Sequence, residues 1–338
     1  MLKEECGLVA PTRRWFWQGA FALAMGCKTI GTAQLARAEE ALRTLYPVAE
    51  FGEGIRGTLS LALSPDGKTM LTSLSLVNEA ILWDVKTLEQ IKTFRSESFV
   101  VATDFLADGK RAVIASDNKI QLWDVADARI ISTIAPEGDK IETAAVAPDG
   151  RHLAISQEDQ LSLWDLRNGT RIAERKEPDL GLIMRLAFAP DGKWLGCVHR
   201  DEVRAYDPTS LQPIAKWPVE SADGGMACSR DSRFILFGDG ERVRIFDVDG
   251  KREVGRVDQL GPDRSFFFGI AALGKNLFAV GDSNGHFLIG STTRLRFIAR
   301  SADPPIKANR IAISPDQKFA YVGTEAGRVL VFDVSALN

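Results

Sequence analysis

Three histidines and four cysteines are the side chains of this sequence best suited to hold a metal or attack a substrate. The histidines are His152, His199 and His286, spaced by 47 and 87 residues. Imidazole ligates metals and moves protons near neutral pH, but a zinc site needs three or four converging ligands. Those ligands would have to come together from distant parts of the chain, so no metal ligand and no catalytic residue is expected. No HExxH or CxxC motif occurs. No nucleophile elbow or phosphate-binding Gly-rich loop, each of which sits at a strand-to-helix turn, is expected either, so no cofactor is implied. Cys197 and Cys228 fall in adjacent repeat units, which leaves a disulfide and two buried thiols as alternatives.

Charge narrows the class of partner. The chain carries 42 Lys and Arg against 45 Asp and Glu, a net −3, and residues 39–338 alone hold 37 against 43, a net −6. Binding to a nucleic-acid backbone needs a basic surface, so nucleic acid is not an expected partner.

The elements that must position these groups come from an internal repeat. ILWDV (81–85), QLWDV (121–125), SLWDL (162–166), RAYDP (204–208), RIFDV (244–248) and VLVFDV (329–334) place aspartates at Asp84, Asp124, Asp165, Asp207, Asp247 and Asp333. Their spacings are 40, 41, 42, 40 and 86, and the last is two periods. The missing copy is HFLIGST, 286–292. A second marker, SPDGK at 64–68, recurs in phase as LADGK, APDGR, APDGK, SRDSR, ALGKN and SPDQK. Asp-Gly favours tight hairpin turns, because Gly accepts positive φ and Asp bonds its own backbone. Apolar alternation flanks the turns, as in Leu59-Leu61-Leu63, so each period reads as four short strands.

The aromatic-Asp pair and the Ser-Pro-Asp-Gly-Lys turn resemble the WD-repeat β-propeller family over about 290 residues. The resemblance implies an all-β, seven-bladed propeller over residues 47–338. No blade carries the Gly-His pair that the family often places before the first strand, so blade rigidity must come more from packing. Trp83, Trp123, Trp164, Tyr206, Phe246 and Phe332 recur once per blade and are expected to pack between blades. The chain ends soon after its last third strand. Tyr46–Phe51 matches the fourth strands, with Pro47-Val48-Ala49-Glu50-Phe51 aligning to Pro213–Trp217. The N-terminus is therefore expected to supply the outer strand of the last blade, a velcro closure that removes a free edge. Val48 and Phe51 are expected to be buried by it.

Residues 1–38 read as an export signal, followed by a linker over 39–46. Arg13 and Arg14 precede an apolar run, Trp15–Gly26, that is too short to span a membrane. Ala36-Arg37-Ala38 suits a signal peptidase, and Gly31-Thr32-Ala33 is a second cleavage candidate. Thr12-Arg13-Arg14-Trp15-Phe16 resembles the twin-arginine signal, which implies a bacterial protein exported folded to the periplasm or beyond. Leu23–Cys27 resembles a lipoprotein box, so a lipid anchor at Cys27 is the alternative; no membrane span is expected.

The candidate binding surface is acidic. Turns between second and third strands hold Glu79, Asp117, Glu158, Asp159, Asp201, Glu202, Asp239, Glu241, Asp282 and Glu325 against Lys119, Arg200 and Arg242. In a propeller these turns share one face with the loops between blades. Glu79, Asp117, Asp159, Asp201, Glu202, Asp239 and Glu241 are the residues expected to meet a protein partner with a basic segment. The leading functional expectation is a non-catalytic, exported protein-interaction scaffold. The alternative is a periplasmic propeller enzyme or enzyme subunit, lactonase-like or associated with a quinoprotein dehydrogenase, and it rests on fold analogy. Three or more polar ligands converging at the centre would favour the enzyme. A channel of apolar and single-charge residues would favour the scaffold.

Overall fold

A computed structural model describes residues 42–337 apart from 53, 55, 177–180, 222–223, 261–264 and 304. The expected signal peptide, its cleavage sites and Cys27 lie outside the described residues.

Seven sheets follow one another along the chain, each built on four antiparallel strands ordered from an inner to an outer one. The inner strands are Thr58–Leu63, Val100–Phe105, Ile141–Val146, Arg185–Phe188, Met226–Cys228, Phe267–Leu273 and Ala308–Ile313. They pack against one another in that order, and the seventh returns to the first. The molecule is therefore a closed ring of seven blades around a channel.

Local turn chemistry explains why each blade starts where it does. Ser64 Oγ donates to Asp66 Oδ1 at 2.7 Å, and the Lys68 amide donates to the same carboxylate oxygen. Gly67, Gly109, Gly150 and Gly192 follow with φ between 64° and 73°. Two of the three copies that lack glycine there keep the same conformation, with φ of 60° at Ser232 and 62° at Gln317. In six blades the aspartate closing the third strand caps the next turn in the same way, and in blade six Ser291 takes its place, accepting the Arg294 amide. Asp207 accepts from Thr209 and Ser210, side chains and amides alike. Those donors, the Thr209 hydroxyl first, hold its carboxyl down at about 2.

At four of the positions the repeated aromatics meet another aromatic across a blade boundary. Trp123 meets Phe94 of the preceding blade with ring centroids 5.3 Å apart, Phe246 stacks on Trp217 at 5.1 Å, and Phe332 meets Phe287 at 4.7 Å. Trp83 of blade one meets Phe51 at 5.2 Å. Phe51 belongs to the N-terminal strand Pro47–Phe51, which pairs antiparallel with Val329–Asp333 and completes blade seven. The other two pack across their boundaries against aliphatic side chains, Tyr206 in a cluster with Leu161 and Leu163 of blade three and Trp164 against one with Val113 and Leu122 of blade two. Tyr206 bonds His199 within its own blade, and Trp164 donates its indole N–H to Ser162 and carries Arg171 over its ring.

Two expectations about the N-terminal segment need correction. Val48 is not buried; it is 60% exposed. A bulge between Pro47 and Ala49 skips it out of the ladder. Every outer strand bulges at this position, and the skipped residue is always β-branched: Ile91, Ile131, Ile172, Ile214, Val254 and Ile298 in the other blades. Such a bulge twists the rim strand and makes it a poor template for edge-to-edge pairing. The second correction concerns 39–46, expected as linker. Residues Arg43–Leu45 form a strand that lies parallel to Arg296–Ser301 on the rim of blade six. Three residues are too few to show a period-2 pattern, but Leu45 is buried with Phe287 and Phe332 in the core shared by blades six and seven.

Candidate functional site

The turns between second and third strands do share one face with the loops joining blades. Backbone bonds tie them together: Ile141 donates to the Asp117 carbonyl at 2.8 Å, Val219 to Asp201 at 3.0 Å and Gln259 to Glu241 at 2.9 Å. The acidic residues on this face differ widely in what they can offer a partner. Asp239 is only 2% exposed; it accepts the Glu220 and Ser221 amides and pairs with Arg244 at 2.8 Å. Glu79 meets Arg95 at 3.3 Å, and Glu202 meets Arg204 at 3.1 Å. Glu325 meets Lys307 at 3.0 Å, and Glu97 pairs with Lys119. Asp117 is half-buried and Glu241 likewise, while Asp201 is exposed. Four of the ten turn acids, Glu79, Glu202, Asp239 and Glu325, are thus paired with cations on neighbouring strands and loops.

One region keeps its charge. In blade three, Glu158 in the turn before the third strand faces Asp139, Asp159 and Glu142, and these neighbours raise its carboxyl pKa, Asp139 first. None of the four is in an ion pair among the described residues. Gln157, buried beneath, spends its side-chain amide on the Glu137 and Asp139 carbonyls. The loop is thereby held against the turn, and the carboxylates project together. Glu158 and Asp159 are both among the acids read from the hairpin turns, and Asp159 alone is among those expected to meet a partner. Asp139 lies in one of the blade-joining loops of the same face, and Glu142 in the inner strand Ile141–Val146, which a reading of turns and loops could not reach.

The histidines and cysteines sit apart. His199 is buried, with Nε2 2.9 Å from the Tyr206 hydroxyl. His286 bonds Asp282, which raises its pKa, and its other nitrogen lies 3.8 Å from Asp303. His152 pairs with Asp149 in a blade-three turn. Among the described residues no group of His, Cys, Asp and Glu could hold a metal ion. Cys197 and Cys228 are both thiols; burial pushes the Cys228 thiol far up, so it is no nucleophile. Two short patterns match catalytic or phosphate-binding spacings by letter alone. Gly281-Asp282-Ser283-Asn284-Gly285 has the spacing of a nucleophile elbow, and Gly52-x-Gly54-x-x-Gly57 that of a dinucleotide loop. The first turns a hairpin into the strand Phe287–Ser291, with Ser283 Oγ accepting from the Phe266 amide. The second leads from Pro47–Phe51 into Thr58–Leu63. Neither opens a helix, so neither has the geometry its chemistry needs.

A closed ring of seven blades, with an aromatic-Asp pair ending the third strand in six of them, defines the class: this is a seven-bladed β-propeller, and its repeats resemble WD repeats. Residues 88–124 match the family described as WD domain, G-beta repeat. That stretch begins at the outer strand of blade one and ends with the third strand of blade two. The sequence repeat is thus out of step with the blade by one strand, and the same offset leaves the last blade to be completed from the N-terminus. Among curated proteins, the chain is similar to an uncharacterized WD repeat-containing protein of Synechocystis sp., 29% identical over 41% of this chain and 40% of that protein. It is also similar to a guanine nucleotide-binding protein subunit beta of Zea mays, 27% identical over 62% of this chain and 61% of that protein. A third relative is pre-mRNA-processing factor 17 of Homo sapiens, 22% identical over 49% of this chain and 31% of that protein. The chain thus spans less than two thirds of the length of each of these relatives.

Proposed function

We propose that this chain is a non-catalytic protein-interaction scaffold that works outside the cytoplasm. The observation that carries the scaffold reading is the rigid closed ring. It presents a broad face of short turns bonded to one another. The relatives support it by their printed roles: a subunit of a guanine nucleotide-binding protein and a pre-mRNA-processing factor are components that act with other macromolecules. The partner segment is basic, and it docks where charge is left uncompensated, at Asp139, Glu142, Glu158 and Asp159. Complementary charge of this kind mainly speeds association and makes it salt-sensitive.

Affinity capture from the native envelope tests this directly, with the wild type run beside an Asp139→Lys, Glu158→Lys, Asp159→Lys variant. The wild type should retain a protein that 0.5 M salt releases, and the variant should retain less than about a tenth as much. Equal recovery on both would put the docking surface elsewhere.

Export rests on the Arg13-Arg14 signal. Replacing both with Lys should leave full-length protein in the cytoplasm. Processed protein appearing in the periplasm at the normal level would reject the twin-arginine route.

A further inference from the structure

The channel at the centre of the ring is a cavity of about 400 Å³, in the size range of small-molecule sites. Its wall is made of the inner strands of all seven blades, and two of these strands carry an arginine. Arg310 lies four residues before Ser314, whose amide bonds Phe319, and Arg185 lies four before Ala189, whose amide bonds Trp194. Ser314 and Ala189 are equivalent positions at the foot of the inner strand, so the two arginines stand at one depth in the ring. They belong to blades four and seven, three steps apart around seven and so nearly opposite each other. Their posture is also the same. Each donates from Nη1 to the carbonyl of its preceding residue, Arg185 to Met184 at 2.8 Å and Arg310 to Asn309 at 2.9 Å.

The other five blades offer small groups at this level: Ser60, Ala102, Thr143, Gly225 and Gly269. The two glycines fill the short arc between the arginines, so no side chain stands between them on that side. Among the described residues that line the channel, Glu142 is the one carboxylate. Arg310 also donates from Nε to the Leu59 carbonyl at 2.6 Å. Among the described residues no carboxylate pairs with it, and its Nη2 makes no hydrogen bond. Enclosure and the charge of Arg185 push its pKa down to about 10. Like charges gathered in an enclosed site are unfavourable unless an opposite charge joins them. A planar guanidinium is also suited to two-point recognition of carboxylate or phosphate oxygens.

We propose that the central channel binds a small oxyanion or carboxylate, clamped between Arg185 and Arg310 from opposite walls. This does not depend on the docking surface at blade three, since the channel groups and the partner-binding cluster share only Glu142.

Calorimetric titration of the folded chain with inorganic phosphate, and separately with succinate, tests the assignment. One ion per chain should bind. Arg185→Gln and Arg310→Gln should each weaken binding about ten-fold or more, as expected for a lost charge-assisted hydrogen bond. Glu142→Gln, which removes the opposing charge and touches no packing, should strengthen binding several-fold. Preference for phosphate or for succinate identifies which oxygen geometry the clamp fits. Arg310 also ties blade seven to blade one, so a thermal melt must show that Arg310→Gln is folded. If it is not, Arg185→Gln and Glu142→Gln decide. No saturable binding of either anion up to about 10 mM, or affinities unchanged in Arg185→Gln and Glu142→Gln, would overturn the proposal.

Discussion

A chain that starts at Gly52 should melt about 10 °C or more below one that starts at Leu42. The missing segment includes the outer strand of blade seven, Pro47–Phe51. Four of its residues pair with Val329–Asp333, and each backbone hydrogen bond lost is worth about 1 kcal/mol. Phe51 is buried against Trp83, and re-exposing an aromatic of that size costs about 2–3 kcal/mol. Arg43–Leu45 goes with it, uncovering the rim of blade six and removing Leu45 from the core shared by blades six and seven. For a protein of this size each kcal/mol shifts the midpoint by about 2 °C. The ring magnifies the effect, because opening one seam exposes the edge of blade seven and the flank of blade one together. Differential scanning calorimetry reads the result. Equal midpoints for the two chains would mean that the N-terminal strand is not part of the cooperative unit.

Gly225→Ala should be nearly as damaging, although it adds a single methyl group. A Cβ at Gly225 would fall 1.5 Å from the Phe268 carbonyl oxygen, which is backbone and cannot rotate away. The Gly225 amide already donates to Phe267 at 3.1 Å, so blades five and six meet here backbone to backbone. Relief requires the two blades to separate, and a closed ring resists that at every other seam. Overpacking of this kind costs about 3 kcal/mol or more, a fall of about 6 °C or more in the melting midpoint. Gly192→Ala is the comparison: its Cβ would meet nothing within 4 Å, and only the φ of +73° opposes it, at about 1 kcal/mol. A Gly225→Ala midpoint no lower than that of Gly192→Ala would show that the inner strands tolerate separation at this seam.

Much of this architecture could be read from the residues because its causes are local. The Asp-Gly turns fix the hairpins through positive φ and a carboxylate that bonds two or three residues ahead, interactions that need nothing from the rest of the chain. The 41-residue spacing of the aromatic-Asp pair then counts the blades, including the degenerate copy whose strand is Phe287–Ser291. The closing strand was legible too, because a final repeat short of one strand and an unassigned strand-like segment at the start leave one way to satisfy both edges.

What the tertiary structure decided is charge and depth. Glu79, Glu202 and Asp239 belong to the acidic turns in sequence, yet Arg95, Arg204 and Arg244 neutralise them from the strands. Val48 aligns with a strand position but is turned outward by a bulge that only the register reveals. Arg185 and Arg310 are 125 residues apart, and neither stands out in its own strand. They become neighbours in function because equal positions in separate repeats fall at equal height around one axis. Turn geometry acts over a few residues and is written in them. Electrostatic pairing acts through space, and which charges share that space is set when the ring closes.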